Sequence, residues 1–257
     1  MRTPVAAGRF YPAASNQLSK SVRKKLSDVK IKSDMLNVVV PHAGYVYSGQ
    51  TAAYSFKALR EADTYVIVGP CHFIPSALPA VTSQDWQTPL GVARLDREFI
   101  SALEGIEEND AAHERDHAIE VQLPFLQVLR DDFEIVPVAI GDQTLQSARQ
   151  LSAAIDRAIE ETGRRVAVLA SSDLTHFETK PRAEESDRQI YTEILEMNVE
   201  KFYEKASRGS VCGFAPIVVA MTCQGVSKAE LLDYSTSAAA TGDTSNVVGY
   251  VSVGFSK

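Results

Sequence analysis

Short continuous apolar runs alternate along this chain with stripes of helical period. Asn37-Val38-Val39-Val40, Tyr65-Val66-Ile67-Val68 and Val166-Ala167-Val168-Leu169-Ala170 are rich in β-branched residues and lack polar alternation. That pattern predicts strands buried on both faces of an α/β sheet. The first run extends over 36–40; further strands are expected over 133–140, 231–236 and 247–255, and a turn or hairpin over 84–95. Helices are expected over 18–29, 51–62, 97–103, 118–129, 144–161 and 214–223, with one or two more within 182–206. In the second of these, Ala52, Ala53, Phe56 and Leu59 fall on one face. Pro124 belongs near a helix start or at a kink, and Gly163 stops the long helix before it. Residues 105–112 read as an acidic loop. Alternation of strand and helix predicts one α/β domain over residues 1–257. Its central sheet is mostly parallel or mixed, with helices on both faces and a last strand free to pair antiparallel.

Each of the three runs ends at a histidine. Pro41-His42-Ala43-Gly44 follows the first, Gly69-Pro70-Cys71-His72 the second, and Ser171-Ser172-Asp173-Leu174-Thr175-His176 the third. Ligands of open α/β sheets bind beyond the carboxyl ends of the strands. Imidazole is both a transition-metal ligand and an acid or base near neutral pH. His42 and His72 are therefore expected to share one edge, delivered by neighbouring strands. Asp173 and His176, three apart where a helix is expected to begin, form a carboxylate–imidazole pair in which Asp173 orients the ring. The bland alternatives are a turn with a capping histidine and a helix N-cap at Ser172 or Asp173.

Cys212, ahead of an apolar helix, is expected to have a lowered thiol pKa and to serve as nucleophile or soft metal ligand. Burial as a packing residue is the rival reading, and it is the preferred one for Cys71 and Cys223. His113-Glu114-Arg115-Asp116-His117 spells H-E-x-x-H, but its acidic, loop-like context does not suit a zincin helix. His117 and the loop aromatics Tyr45 and Tyr47 are instead candidates for substrate contact; Trp86 is read as loop packing.

Composition narrows the field. The 257 residues are 45% hydrophobic and 23% charged, with a net charge of −7. Nothing offers phosphates a positive field, so no nucleic-acid partner is expected. No apolar run is long enough to span a bilayer, and no secretory h-region opens the chain, so a cytoplasmic location is the default. Three cysteines at uneven spacing imply no disulfide framework. Walker A, Rossmann glycine and nucleophile-elbow motifs are lacking.

Several strings occur in order: Arg-Thr-Pro-Val-Ala-Ala-Gly-Arg-Phe-Tyr-Pro at the start, Pro-His-Ala-Gly-Tyr-Val-Tyr-Ser-Gly, Gly-Pro-Cys-His-Phe, Asp-His-Ala-Ile-Glu-Val-Gln-Leu-Pro-Phe-Leu, Ser-Ser-Asp-Leu-Thr-His-Phe and Val-Cys-Gly-Phe-Ala-Pro-Ile. Together they resemble the Memo family, also called AmmeMemoRadiSam system protein B, over almost the whole chain. The resemblance implies a fold like that of the class III (LigB-like) extradiol dioxygenases. It implies a metal site at His42, His72 and Cys212, with Asp173 and His176 as further pocket residues and His176 in the acid/base role. The family usually has Glu-His-Ser where this chain has Asp116-His117-Ala118. It also implies an Fe(II) cofactor, although a thiolate in place of the dioxygenase carboxylate suits copper or zinc as well. Ring cleavage does not follow from the fold. The expected function is a non-haem metal-dependent redox enzyme of unassigned substrate. Its rivals are a binding or adaptor module that takes a peptide, a metabolite or a partner protein in the same pocket, and a thiol hydrolase using Cys212 and His176. The family's system name implies AMMECR-type and radical-SAM partner proteins.

Overall fold

A computed structural model describes residues 1–31, 33–74 and 76–257. In chain order the elements are α1 (Ser15–Ser27), β1 (Asn37–Val40), α2 (Gly49–Ala58), β2 (Thr64–Pro70), β3 (Ala80–Val81), β4 (Trp86–Thr88), β5 (Gly91–Leu95), α3 (Arg97–Ala102), β6 (Glu107–Glu108) and α4 (Asp110–Glu114). A 3-10 turn (Glu120–Gln122) leads into α5 (Leu123–Leu129). Then come β7 (Glu134–Ile140), α6 (Leu145–Thr162), β8 (Val166–Ser171), β9 (His176–Glu178), α7 (Lys180–Leu195), α8 (Val199–Arg208), α9 (Phe214–Thr222), β10 (Lys228–Thr236), α10 (Ala238–Thr241) and β11 (Val247–Ser256).

The strands form one mixed sheet whose main path is β10-β11-β1-β8-β2-β7-β3-β6, with β5 joined to β7 and β9 to β11 off that path. Its centre, β1-β8-β2-β7, is parallel. The last strand pairs antiparallel with β1 and with β10. Every residue of β1, β2 and β8 is buried, which is why these runs carry no polar alternation. Successive side chains still point to opposite faces. Val39, Val66, Val68, Val168 and Ala170 join a core covered by α3, α6, α7, α8 and α9. Val38, Val40, Tyr65, Ile67 and Leu169 join a second core under α1, α2 and α5. The architecture is thus a single α/β domain with helices on both faces, and among the described residues no helix is long and apolar enough to cross a membrane.

Three local readings change. The first two histidine-bearing strands are not neighbours: β8 lies between β1 and β2. No helix begins at Asp173; His176 instead opens β9, which pairs with β11. The expected acidic loop contains β6 and the start of α4. Of the one or two helices expected within 182–206 the chain forms two, broken where Met197 takes a positive φ of 54°. The 84–95 segment is indeed a hairpin, β4 with β5.

Candidate metal centre and pocket

Register sets the site. In the pairing of β1 with β8, Val40 faces Ser171. His42 and Asp173, each two residues further on, therefore leave the sheet side by side. The parallel neighbour β2 delivers His72 to the same edge. Cys212 arrives from the loop between α8 and α9. That loop lies against the end of β8 because Gly213 has no side chain: a Cβ there would sit 2.5 Å from the Ser171 carbonyl oxygen and 2.8 Å from Ser172 Cβ.

Donor atoms of His42, His72 and Cys212 all lie within 4.8 Å of one another. His42 is buried and Cys212 half-buried, while the His72 side chain keeps 29% exposure and so faces the pocket mouth. Cys212 Sγ is 3.1 Å from His42 Nε2.

Hydrogen bonds fix which nitrogen of each ring is free. The Ser171 hydroxyl donates to the Ala118 carbonyl (2.7 Å) and accepts from Gln122 Nε2 (3.0 Å). Its remaining contact, at 3.0 Å from His42 Nδ1, therefore accepts the ring N–H. That leaves the His42 Nε2 lone pair aimed at Cys212. Asp116 accepts the His72 backbone N–H at 2.7 Å and sits 3.1 Å from its Nδ1, so the free atom of His72 is Nε2. A carboxylate or hydroxyl behind each imidazole is the arrangement that orients metal-binding histidines.

Electrostatics follow burial and pairing. Burial pulls the His42 pKa down to about 3, and the neighbouring His72 adds to the shift. Burial also acts downward on His72, but the hydrogen bond and charge of Asp116 outweigh it and the net shift is upward. Burial alone would raise Asp116; the His72 contacts and the backbone N–H groups of Ala118 and His72 hold it well below the usual carboxylate range instead. Burial, with His42 next, brings His117 down to about 4. Asp173 is pushed up by burial against the pull of the His42 and Ala43 N–H groups. The Cys212 thiol is raised far above its ordinary value, first by burial and then by Asp173. The lowering expected from its place before a helix is overruled by desolvation.

The pocket in front of these groups has a volume of about 470 Å³ and is lined by Phe10, His42, Ala43, Gly44, Tyr47, His72, His117, Asp173, His176, Ser237, Thr241, Val248 and Tyr250. His117 is stacked on Phe10, with centroids 4.0 Å apart, and on His72 at 5.2 Å. Tyr45 lies outside this lining; it is buried and its hydroxyl donates to the Val121 carbonyl. The expected Asp173–His176 hydrogen bond does not form. Asp173 accepts the His42 backbone N–H at 2.8 Å. His176 Nδ1 faces two carbonyls, Leu174 at 2.7 Å and Ser210 at 2.9 Å, so it carries the proton and Nε2 is the basic atom.

His113 does not join His117 around a common point: it is buried, with Nε2 on the Ala80 carbonyl. The zincin reading ends there. Glu120 is also structural, accepting from Arg2, the Val5 and Ala6 amides and the Tyr11 hydroxyl. Cys223 is buried and Cys71 half-buried.

Residues 2–254 match the family described as Memo-like protein. The chain belongs to the Memo-like family. MEMO1 family proteins of Archaeoglobus fulgidus and Methanococcoides burtonii are 42% and 41% identical to it. In each case the match covers at least 98% of this chain and 99% of the relative. The MEMO1 family protein of Methanosarcina barkeri is 39% identical over 98% of this chain and 99% of its own length.

Sequence reasoning about this Memo-like chain passed over Asp116, Ser171, Gln122, Phe10 and Gln143. The first four lie inside the strings that carry the family resemblance, so the motifs held the signal without the roles. Gln143 lies in none of them.

Proposed function

We propose that this Memo-like protein binds a transition-metal ion through His42 Nε2, His72 Nε2 and Cys212 Sγ and works as a metal-dependent oxidoreductase on a small molecule. The observation that carries the reading is the convergence of three donor atoms whose partners leave their lone pairs free. The donor set fits such an ion. Metal–nitrogen bonds of about 2.0–2.1 Å and metal–sulfur bonds of about 2.3 Å put tetrahedral donors roughly 3.3–3.6 Å apart. The His42–Cys212 separation of 3.1 Å is close to that range, and partly exposed His72 is the ligand with room to adjust. Two imidazoles and one thiolate suit Fe(II), copper or zinc, and Fe(II) is the ion favoured by the likeness to extradiol dioxygenases.

A redox-active ion held there supplies electron transfer. The chain's residues supply the rest. Cys212, whose proton the buried site otherwise retains, would give that proton to solvent on taking an ion. His176 Nε2 takes a proton from bound substrate, with Nδ1–H held by the Leu174 and Ser210 carbonyls. Phe10, Tyr47, Val248 and Tyr250 provide apolar walls that exclude water from the reacting edge.

The test is metal content after anaerobic, reducing purification, with a His42→Ala/His72→Ala double variant beside the wild type. The expected result is one ion per chain in the wild type and none in the variant. Equal content in both refutes the site. Oxygen uptake with a panel of small phenols and thiols then tests turnover.

A further inference from the structure

We propose that Gln143 is a positioning residue whose side chain holds the 210–213 loop so that Cys212 and His176 are set together. The inference rests on the metal-centre reading above and extends it to a residue outside the pocket.

Gln143 comes from the connection between β7 and α6, just beyond the end of the strand that pairs with β2. Its Nε2 donates to the Cys212 carbonyl at 2.8 Å, and its Oε1 accepts the Ala215 N–H at 3.1 Å. One planar amide thus bridges the turn from Cys212 into α9. Its own carbonyl receives the Tyr203 hydroxyl at 3.3 Å, tying it to α8 on the far side of the loop. Two residues before Cys212, Ser210 grips His176 twice: Oγ accepts the His176 backbone N–H at 2.8 Å, and the carbonyl accepts Nδ1–H at 2.9 Å. The same short loop therefore presents the sulfur donor and, together with the Leu174 carbonyl, fixes the tautomer of the proton-moving ring. Ser172 secures its floor by accepting the Gly213 N–H at 2.9 Å. The Gln143 amide holds its outer side. A loop free to move there would shift sulfur and imidazole together.

Two variants separate this role from simple helix capping. Gln143→Leu removes both contacts. Gln143→Glu keeps an acceptor for Ala215 N–H but has no donor for the Cys212 carbonyl. The full chain is loaded with Co(II) under anaerobic conditions; the sulfur-to-cobalt absorption band and the affinity by chelator competition are read for each protein. Loss of a group behind a metal ligand lowers affinity about 10–100-fold. Both variants are expected to show that loss with a weakened sulfur band. Gln143→Glu matching the wild type in both readouts overturns the proposal, because capping of α9 would then be the residue's whole role.

A second measurement needs no metal. Iodoacetamide labelling of Cys212 in metal-free protein, followed on its own peptide, is expected to speed up about fivefold in both variants, the worth of one hydrogen bond. Unchanged labelling overturns the proposal. A wild-type chain that takes up no cobalt overturns the metal reading separately, and the labelling rate still decides for or against Gln143.

Discussion

Replacing Gly213 by alanine tests whether close approach of the loop to β8 creates the sulfur position. The added Cβ would lie 2.5 Å from the Ser171 carbonyl oxygen and 2.8 Å from Ser172 Cβ, where ordinary contact begins at 3.4 Å. Neither obstacle is the end of a flexible side chain. The loop must back away by about 0.9 Å, and overpacking of this kind costs about 1–3 kcal/mol. For a chain of this size that lowers the melting temperature by roughly 2–4 °C per kcal/mol. The same displacement is large against a metal–sulfur bond of about 2.3 Å. Metal affinity should fall by about 10–100-fold. Gly209→Ala is the control in the same loop: its Cβ meets only the Ala206 and Lys205 carbonyls, at 3.6 Å, and its φ of −96° suits alanine. Scanning calorimetry and chelator competition on both variants read the two effects. Gly213→Ala with wild-type melting and wild-type affinity would refute the argument.

Asp116→Asn should lower metal affinity about 10–100-fold, because an amide cannot match the carboxylate that accepts His72 N–H and Ala118 N–H; chelator competition checks it, and undiminished affinity would show that Asp116 does not orient the ring. Arg2→Ala should cost about 3–5 kcal/mol, since it strips the cation from Glu120, which is 0% exposed, and a urea midpoint near that of the wild type would contradict it. Metal-free protein should lose stability as the pH falls from 6.5 toward 4. His113 is held down to about 4, first by burial, so the fold rejects a proton that the unfolded chain accepts. Its contribution is complete above the ordinary histidine value and is lost at about 1.4 kcal/mol per pH unit on the way down. His42, held down to about 3, acts in the same direction. Raised His72 does not: its contribution is kept at low pH and lost as the pH rises through its folded value. Urea midpoints of wild type and His113→Gln at pH 7 and pH 5 test this, and equal losses in the two proteins would remove His113 from the account.

The layers of the fold and the edge that carries the site are legible in local patterning. Runs such as Val38-Val39-Val40 and Val166-Ala167-Val168-Leu169-Ala170 are apolar on both faces because both faces are covered, and that requirement is local enough to read without coordinates. The same runs placed His42, His72 and Asp173 at strand ends, and the ordered motifs supplied Cys212. Which groups meet follows from how the strands and loops pack. The insertion of β8 between β1 and β2 puts Ser171, rather than the strand of His72, beside His42. Asp116 finds His72 from 44 residues away, and Gln143 finds Cys212 from 69. Thiol pKa shows the same division. A helix start is visible in the sequence and argues for a lowered value, but burial beside Asp173 raises it. Desolvation depends on what surrounds an atom in three dimensions, and hydrogen-bond partners depend on pairing register, so neither is written in the spacing of residues along the chain.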